Sequence, residues 1–155
     1  TFMGDWAKGE FLSASKKPGE DFLCFRFPDS QGSVLFNSDQ FVMFAVGDEQ
    51  RPAQEKLAKA VMSPAFQQAF NKVKGSVMAR TDVDAGVLDA CGQQGQVDLA
   101  EAAKSDKLFG SMAHGHGAPS GIKSAIFDVV TAHFNGEYDS AAAIEELVAA
   151  VQSAK

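Results

Sequence analysis

The stretch Ser63–Arg80, SPAFQQAFNKVKGSVMAR, constrains the fold of this chain more than any other. Ser63 is placed to cap a helix, and Pro64 suits the first helical position, where its missing N–H is no loss. Phe66, Ala69, Phe70 and Val73 follow at i, i+3, i+4 and i+7, which predicts a single apolar stripe. Gly75 is predicted to end the helix in the left-handed region. Lys74 falls on the last turn, beside a change of chain direction. Two roles are open to it. One is a cation favoured at a helix C-terminus by about 0.3–1 kcal/mol. The other is a directed donor pointing into a cleft.

Composition narrows the function classes. A chain of 155 residues is about one domain by length, and 45% hydrophobic residues against 22% charged suit a globular protein with a core. The net charge of −6, with no long basic run, argues against nucleic acid as a partner. No apolar run approaches the length of a membrane span. The chain opens on Thr1 rather than Met, and TFMGDW reads as the end of a strand, so a processed or truncated product is expected and no leader is informative. Phe is used 13 times against one Trp and one Tyr, ample core material but few of the amphipathic rings that sugar and base sites favour. Cys24 and Cys91 lack CxxC spacing; they are either buried thiols or one long-loop disulfide.

The rest of the chain predicts many helices and few strands. A short helical turn is expected at Ala7–Lys8 and a polar loop over 13–20. Phe22–Phe27 reads as a strand buried on both faces, and 34–36 with 41–46 as a second β region interrupted by Asn37–Gln40. Pro52 opens a helix to about Met62. Val87–Gln94 and Leu99–Lys104 read as two helical pieces around a glycine-containing loop. Phe109–Ser120, FGSMAHGHGAPS, reads as a loop throughout. The last two helices run over about 121–135, with Ile122, Ile126, Val129 and His133 on one stripe, and from a Ser140 cap, with Ile144, Leu147, Val148 and Val151 inward. So few strands cannot build a helix-covered sheet alone, and further strands are expected from a partner chain or a lost N-terminal portion.

Candidate polar residues are Asp5 beside Trp6, Asp39 in the interrupted strand, Lys74, and His114 and His116 in the glycine-rich loop. A neutral polyol needs such a mixture: a carboxylate to accept from adjacent hydroxyls, a lysine or histidine to donate, and an aromatic face against the ring. Each has a plainer role. Asp39 can bond its own turn, Asp5 can cap the turn at Trp6, and Trp6 and His133 can be core. His114 and His116 also allow an alternative, a metal-dependent enzyme using that loop, although two ligands without a third are a weak signal. No Ser sits in a G-x-S-x-G context, and no Cys neighbours a His.

MGDWAKGEF, the block PAQEKLAKAVMSPAFQQAFNKVKGSVMARTDVD, SMAHG and the final helix pair resemble, in the same order, the C-terminal portion of bacterial family 1 extracellular solute-binding proteins, the glucose/mannose type of ABC importers. The resemblance implies an α/β, two-lobed periplasmic binding protein fold with a sugar cleft, here a helix-rich C-terminal portion. It implies that residues 1–33 and 74–155 belong to the C-terminal lobe and 34–73 to the N-terminal lobe. It implies a non-enzymatic, periplasmic component that binds a monosaccharide such as glucose without a cofactor and delivers it to a membrane permease. Asp39, Lys74 and His114 match sugar-contact positions, and Asp5–Trp6 match a family motif. In an oxidising periplasm Cys24 and Cys91 are expected to pair. Met78 departs from the proline usual in the KGS block. The N-terminal lobe's remainder is absent, so association with it, or self-association, is expected.

Overall fold

Local capping chemistry sets the helices. The computed structural model describes residues 3–30 and 32–154; of the strand end expected over TFMGDW, Thr1 and Phe2 lie outside them, and residues 3–6 are irregular backbone and a turn, with no strand. Helix α1 spans Ala7–Ser13 and α2 spans Arg51–Val61. Helix α3 is Pro64–Lys74, capped as the sequence predicts: the Ser63 hydroxyl accepts from the Phe66 N–H at 3.2 Å, and Gly75 leaves the helix at φ +81°. Helix α4, Ala90–Lys104, begins at Asp89, whose carboxylate accepts from the Gly92 N–H at 2.9 Å. Helices α5, Ser120–Phe134, and α6, Ser140–Ser153, are joined by Asn135–Asp139. The cap of α6 is Asp139, which accepts from Ala142 N–H at 2.9 Å, and not Ser140, which is the first helical residue.

Strands are few among the described residues. β1, Val34–Phe36, pairs in parallel with β2, Leu108–Gly110. The Val34 N–H donates to the Lys107 carbonyl and the Ser111 N–H to the Phe36 carbonyl. Phe109–Gly110, expected in a loop, is therefore strand. The strands expected at Phe22–Phe27 and Phe41–Val46 are not formed; only an isolated bridge joins Pro18 and Phe22. Their apolar side chains are open to solvent, with Phe25 84% and Phe44 77% exposed. Apolar composition made these runs look like buried strands, but a strand needs a neighbouring ladder, and no described residue supplies one.

The backbone divides into two compact units, Thr1–Val34 with Ser38–Leu108, and Leu35–Asn37 with Phe109–Lys155. In the first, Met78 is fully buried with Val83 and Leu88 around it. The disulfide Cys24–Cys91, with Cα atoms 5.8 Å apart, joins the 22–27 segment to α4. It is reinforced two residues on, where the Arg26 guanidinium grips the buried Asp98 carboxylate, its Nε donating at 2.6 Å and its Nη2 to the other oxygen. Cys91 and Asp98 stand seven residues apart, on one face of α4. Cys24 itself is exposed in irregular backbone rather than lying in a buried strand.

Helix α4 also runs unbroken where a loop was expected. Its Gly95 makes room for a contact and not for a turn: a β-carbon there would lie 2.9 Å from Val77 Cγ1. In the second unit α5 packs against α6. Ile122, Ile126 and Val129 lie inward on α5, but His133 is exposed and donates from Nδ1 to the Tyr138 carbonyl at 2.9 Å, so it is no core histidine. On α6 the inward face is Ala143, Leu147, Ala150 and Val151, and Ile144 and Val148 are exposed.

Candidate functional site

Lys74 stands on a turn built from side-chain hydrogen bonds. The face of α3 that is buried is not the apolar stripe but its amide face: Gln67 and Asn71 are buried, with Phe70 38% and Val73 80% exposed. The expected orientation of the helix is thus reversed. The cause lies in the backbone that follows. Residues 76–80 belong to no helix or strand, so their polar groups need other partners. Three successive N–H groups find them. Val77 donates to Asp5 Oδ2 at 2.6 Å, Met78 to Gln96 Oε1 at 2.8 Å, and Ala79 to Gln67 Oε1 at 3.0 Å. Ser76 Oγ donates to Asn71 Oδ1 at 2.8 Å, and the Gln96 amide donates to the Arg80 carbonyl at 2.9 Å. Orphaning a buried one among them, such as the Met78 N–H or the Asn71 amide oxygen, costs roughly 1–3 kcal/mol, enough to hold the amide face inward against a moderately apolar one.

Gln67, Asn71 and Gln96 escaped the sequence reading, which oriented α3 by hydrophobic spacing. A signal was present: the side of α3 opposite the Phe stripe carries Gln67, Gln68 and Asn71, uncharged amides that tolerate burial when paired. Met78, at the position where the resemblance implied proline, uses its N–H on Gln96, which holds the turn by a different route.

The backbones of α1 and this turn meet at two glycines. A β-carbon on Gly75 would lie 2.6 Å from Gly9 N, and one on Gly9 would lie 2.4 Å from the Lys74 carbonyl oxygen. Beyond the turn, Arg80 Nε donates to Asp82 Oδ1 at 2.8 Å, and Arg80 Nη1 reaches the Met62 carbonyl at 3.0 Å. The hydrogen bond to Arg80 holds the Asp82 carboxyl below its ordinary pKa, and the same bond raises that of Arg80.

Lys74 leaves this frame to meet Asp39, on the irregular segment after β1, in an ion pair with both groups accessible: 31% and 56% exposed. The ammonium also lies 5.8 Å from the centre of the Phe70 ring. Phe70 stacks on Phe66 at 5.3 Å, and Phe66 meets Phe41 edge-on at 6.2 Å. The exposed stripe of α3 therefore forms an aromatic row beside a cation and a carboxylate. Both expected partners are brought together here. Asp5 is in the same unit, with its carboxylate spent on the Val77 amide rather than on capping α1. Trp6 occupies the N-cap position of α1, half-buried, its ring over Gly4.

His114 belongs to the other unit, in the loop after β2. Its Nδ1 shares a hydrogen bond with Ser111 Oγ at 2.8 Å. His116 Nε2 donates to Asn37 Oδ1 at 3.2 Å, and its ring lies 5.8 Å from that of Phe36. The Ser111 carbonyl closes the loop by accepting from the His116 N–H. Among the described residues no group of three His, Cys, Asp or Glu is arranged to hold a metal, so the two imidazoles have no third ligand beside them.

A cation, a carboxylate and an aromatic face, all reachable from solvent, can exchange hydrogen bonds with neighbouring hydroxyls and cover an apolar ring face. No protein-family model matches the chain. A protein of Rhizobium meliloti (strain 1021) named a probable sugar-binding periplasmic protein is 64% identical over 154 residues, which are 99% of this chain and 37% of that protein. A protein of the same name from Brucella suis biovar 1 (strain 1330) is 58% identical over the same shares. The chain is similar to part of proteins named probable sugar-binding periplasmic proteins. An uncharacterized ABC transporter extracellular-binding protein of Pyrococcus horikoshii is 28% identical over 131 residues, 84% of this chain and 29% of its own length. The chain spans little more than a third of the length of the Rhizobium and Brucella relatives. The periplasm expected from the resemblance is the location that the Rhizobium and Brucella names carry, and all three names describe binding.

Proposed function

We propose that this chain is the C-terminal portion of the sugar-binding component of an ABC importer, working in the periplasm and handing a monosaccharide such as glucose to a membrane permease. In that protein residues 1–33 and 74–155 form part of one lobe and 34–73 part of the other, and the sugar is enclosed when the lobes close. Lys74 donates to sugar hydroxyls, Asp39 accepts from them, His114 adds a further polar contact, and Trp6 offers an aromatic face.

One observation carries this assignment: Lys74 and Asp39, 35 residues apart, meet as an accessible charged pair beside an exposed aromatic row. Surface ion pairs contribute little to stability, in the region of 0–1 kcal/mol, so this pair has slight value as a structural clamp. Its value as a preformed donor and acceptor for a polyol is larger, because a buried charge-assisted hydrogen bond is worth about 1.5–3 kcal/mol once the sugar excludes water. Lys74→Ala, Asp39→Ala and His114→Ala in the complete protein should each weaken glucose binding more than tenfold with the circular dichroism spectrum unchanged. Calorimetric titration decides it; wild-type affinity in all three variants refutes the assignment.

A further inference from the structure

The motif MGDWAKGEF with the Leu12 that follows it places Asp5, Lys8, Gly9 and Leu12 at i, i+3, i+4 and i+7, one face of α1 and the residues just before it. Two members of that face, Asp5 and Gly9, meet the frame of Lys74 directly. Asp5 takes the Val77 N–H at 2.6 Å. The Lys8 ammonium, buried, donates to Asp89 at the cap of α4 at 2.9 Å. Gly9 abuts the carbonyl of Lys74 and the backbone of Gly75. Leu12 lines the same small cavity as Asn71 and Gly75. Asp5 and Gly9 thus both meet the turn, and Lys8 ties the same seven-residue helix to the cap of α4.

We infer that Asp5 is a positioning residue for sugar binding: by accepting the Val77 N–H it fixes the turn after Gly75 and so aims the Lys74 ammonium. The backbone changes direction at Gly75, at φ +81°, so a small rotation there swings everything on either side of it. Gly9 blocks movement of the Lys74 carbonyl in one direction, and the Asp5 carboxylate tethers the irregular stretch beyond it. A carboxylate accepting a backbone N–H is a strong, directional tether. The role of Asp5 in binding is then exercised through Lys74 and not by touching the sugar. This inference rests on the assignment of Lys74 to the sugar site.

The test compares Asp5→Ala with Asp5→Asn in the complete protein, with glucose as the probe, and repeats both in a Lys74→Ala background. The asparagine keeps a carbonyl oxygen for Val77 and loses the charge. Positioning predicts that Asp5→Ala weakens binding roughly tenfold, that Asp5→Asn restores it to within about threefold, and that neither adds a loss once Lys74 is gone. A direct contact between Asp5 and the sugar predicts that the loss adds to that of Lys74→Ala, or that Asp5→Asn is as weak as Asp5→Ala; either result overturns the inference. If Asp5→Ala does not fold, the asparagine variant decides alone, since a loss of tenfold or more there is incompatible with a mere tether. If Lys74→Ala leaves glucose binding intact, the sugar assignment fails separately. The tether is then judged by amide exchange at Val77 and the Lys74 ammonium resonance in Asp5→Asn and Asp5→Ala: an effect on both in the alanine variant alone supports it, and no effect overturns it.

Discussion

Replacing Cys24 and Cys91 by serine should cost this protein about 4 kcal/mol of stability. The bond spans 67 residues, and the chain-entropy relation for a loop of that length gives an unfolded-state cost of roughly 4 kcal/mol at 25 °C. That is a large share of the 5–15 kcal/mol that an ordinary domain has in total. With a urea slope of about 2 kcal/mol per molar, the midpoint of unfolding should fall by about 2 M. The loss should be local as well as global. The 22–27 segment forms no strand, its Leu23, Phe25 and Phe27 are exposed, and once the bond is gone the Arg26–Asp98 grip is left as its strongest tie to α4. Arg26→Ala should therefore cost roughly 1.5–3 kcal/mol in the oxidised protein and markedly less in the double-serine protein, where the segment frays anyway. Urea denaturation of the four proteins, with thiol titration of the unfolded, unreduced wild type, checks this. Two reactive thiols per chain, or equal midpoints with and without the cysteines, would refute the reasoning.

Two further outcomes are expected. The Asp82 carboxyl, lowered by its hydrogen bond from Arg80, contributes stability above its unfolded pKa and loses it as pH falls through the lower folded value; carboxyl NMR titration should find its midpoint below that of an ordinary aspartate, and Arg80→Ala should return it there. The isolated 155-residue chain should bind glucose with a dissociation constant on the order of millimolar or weaker, because an uncovered site leaves water competing for each donor and acceptor, and it should self-associate through exposed side chains such as Phe25, Phe44 and Val73. Micromolar binding by a monomer, seen by calorimetry with light scattering, would overturn that expectation.

What the sequence determined by itself is what depends on near neighbours. The span of α3 follows from Ser63, Pro64 and Gly75, because a cap is satisfied or not within four residues. The meeting of Cys24 with Cys91 was one of two outcomes open to the residues alone, and the resemblance to secreted relatives favoured it. What only the tertiary structure decided is which face of each element is covered. Phe66, Phe70 and Val73 form a faultless helical stripe, yet α3 buries Gln67 and Asn71, because the irregular backbone of 76–80 brings amides that must be paired. Phe22–Phe27 and Phe41–Val46 have strand composition and no strand, because a ladder is a property of two segments and these have no second one among the described residues. Asp5 shows the same limit at the scale of the site. Its residues left capping and ligand contact both open, and only the fold reveals that a backbone amide 72 residues away claims its carboxylate.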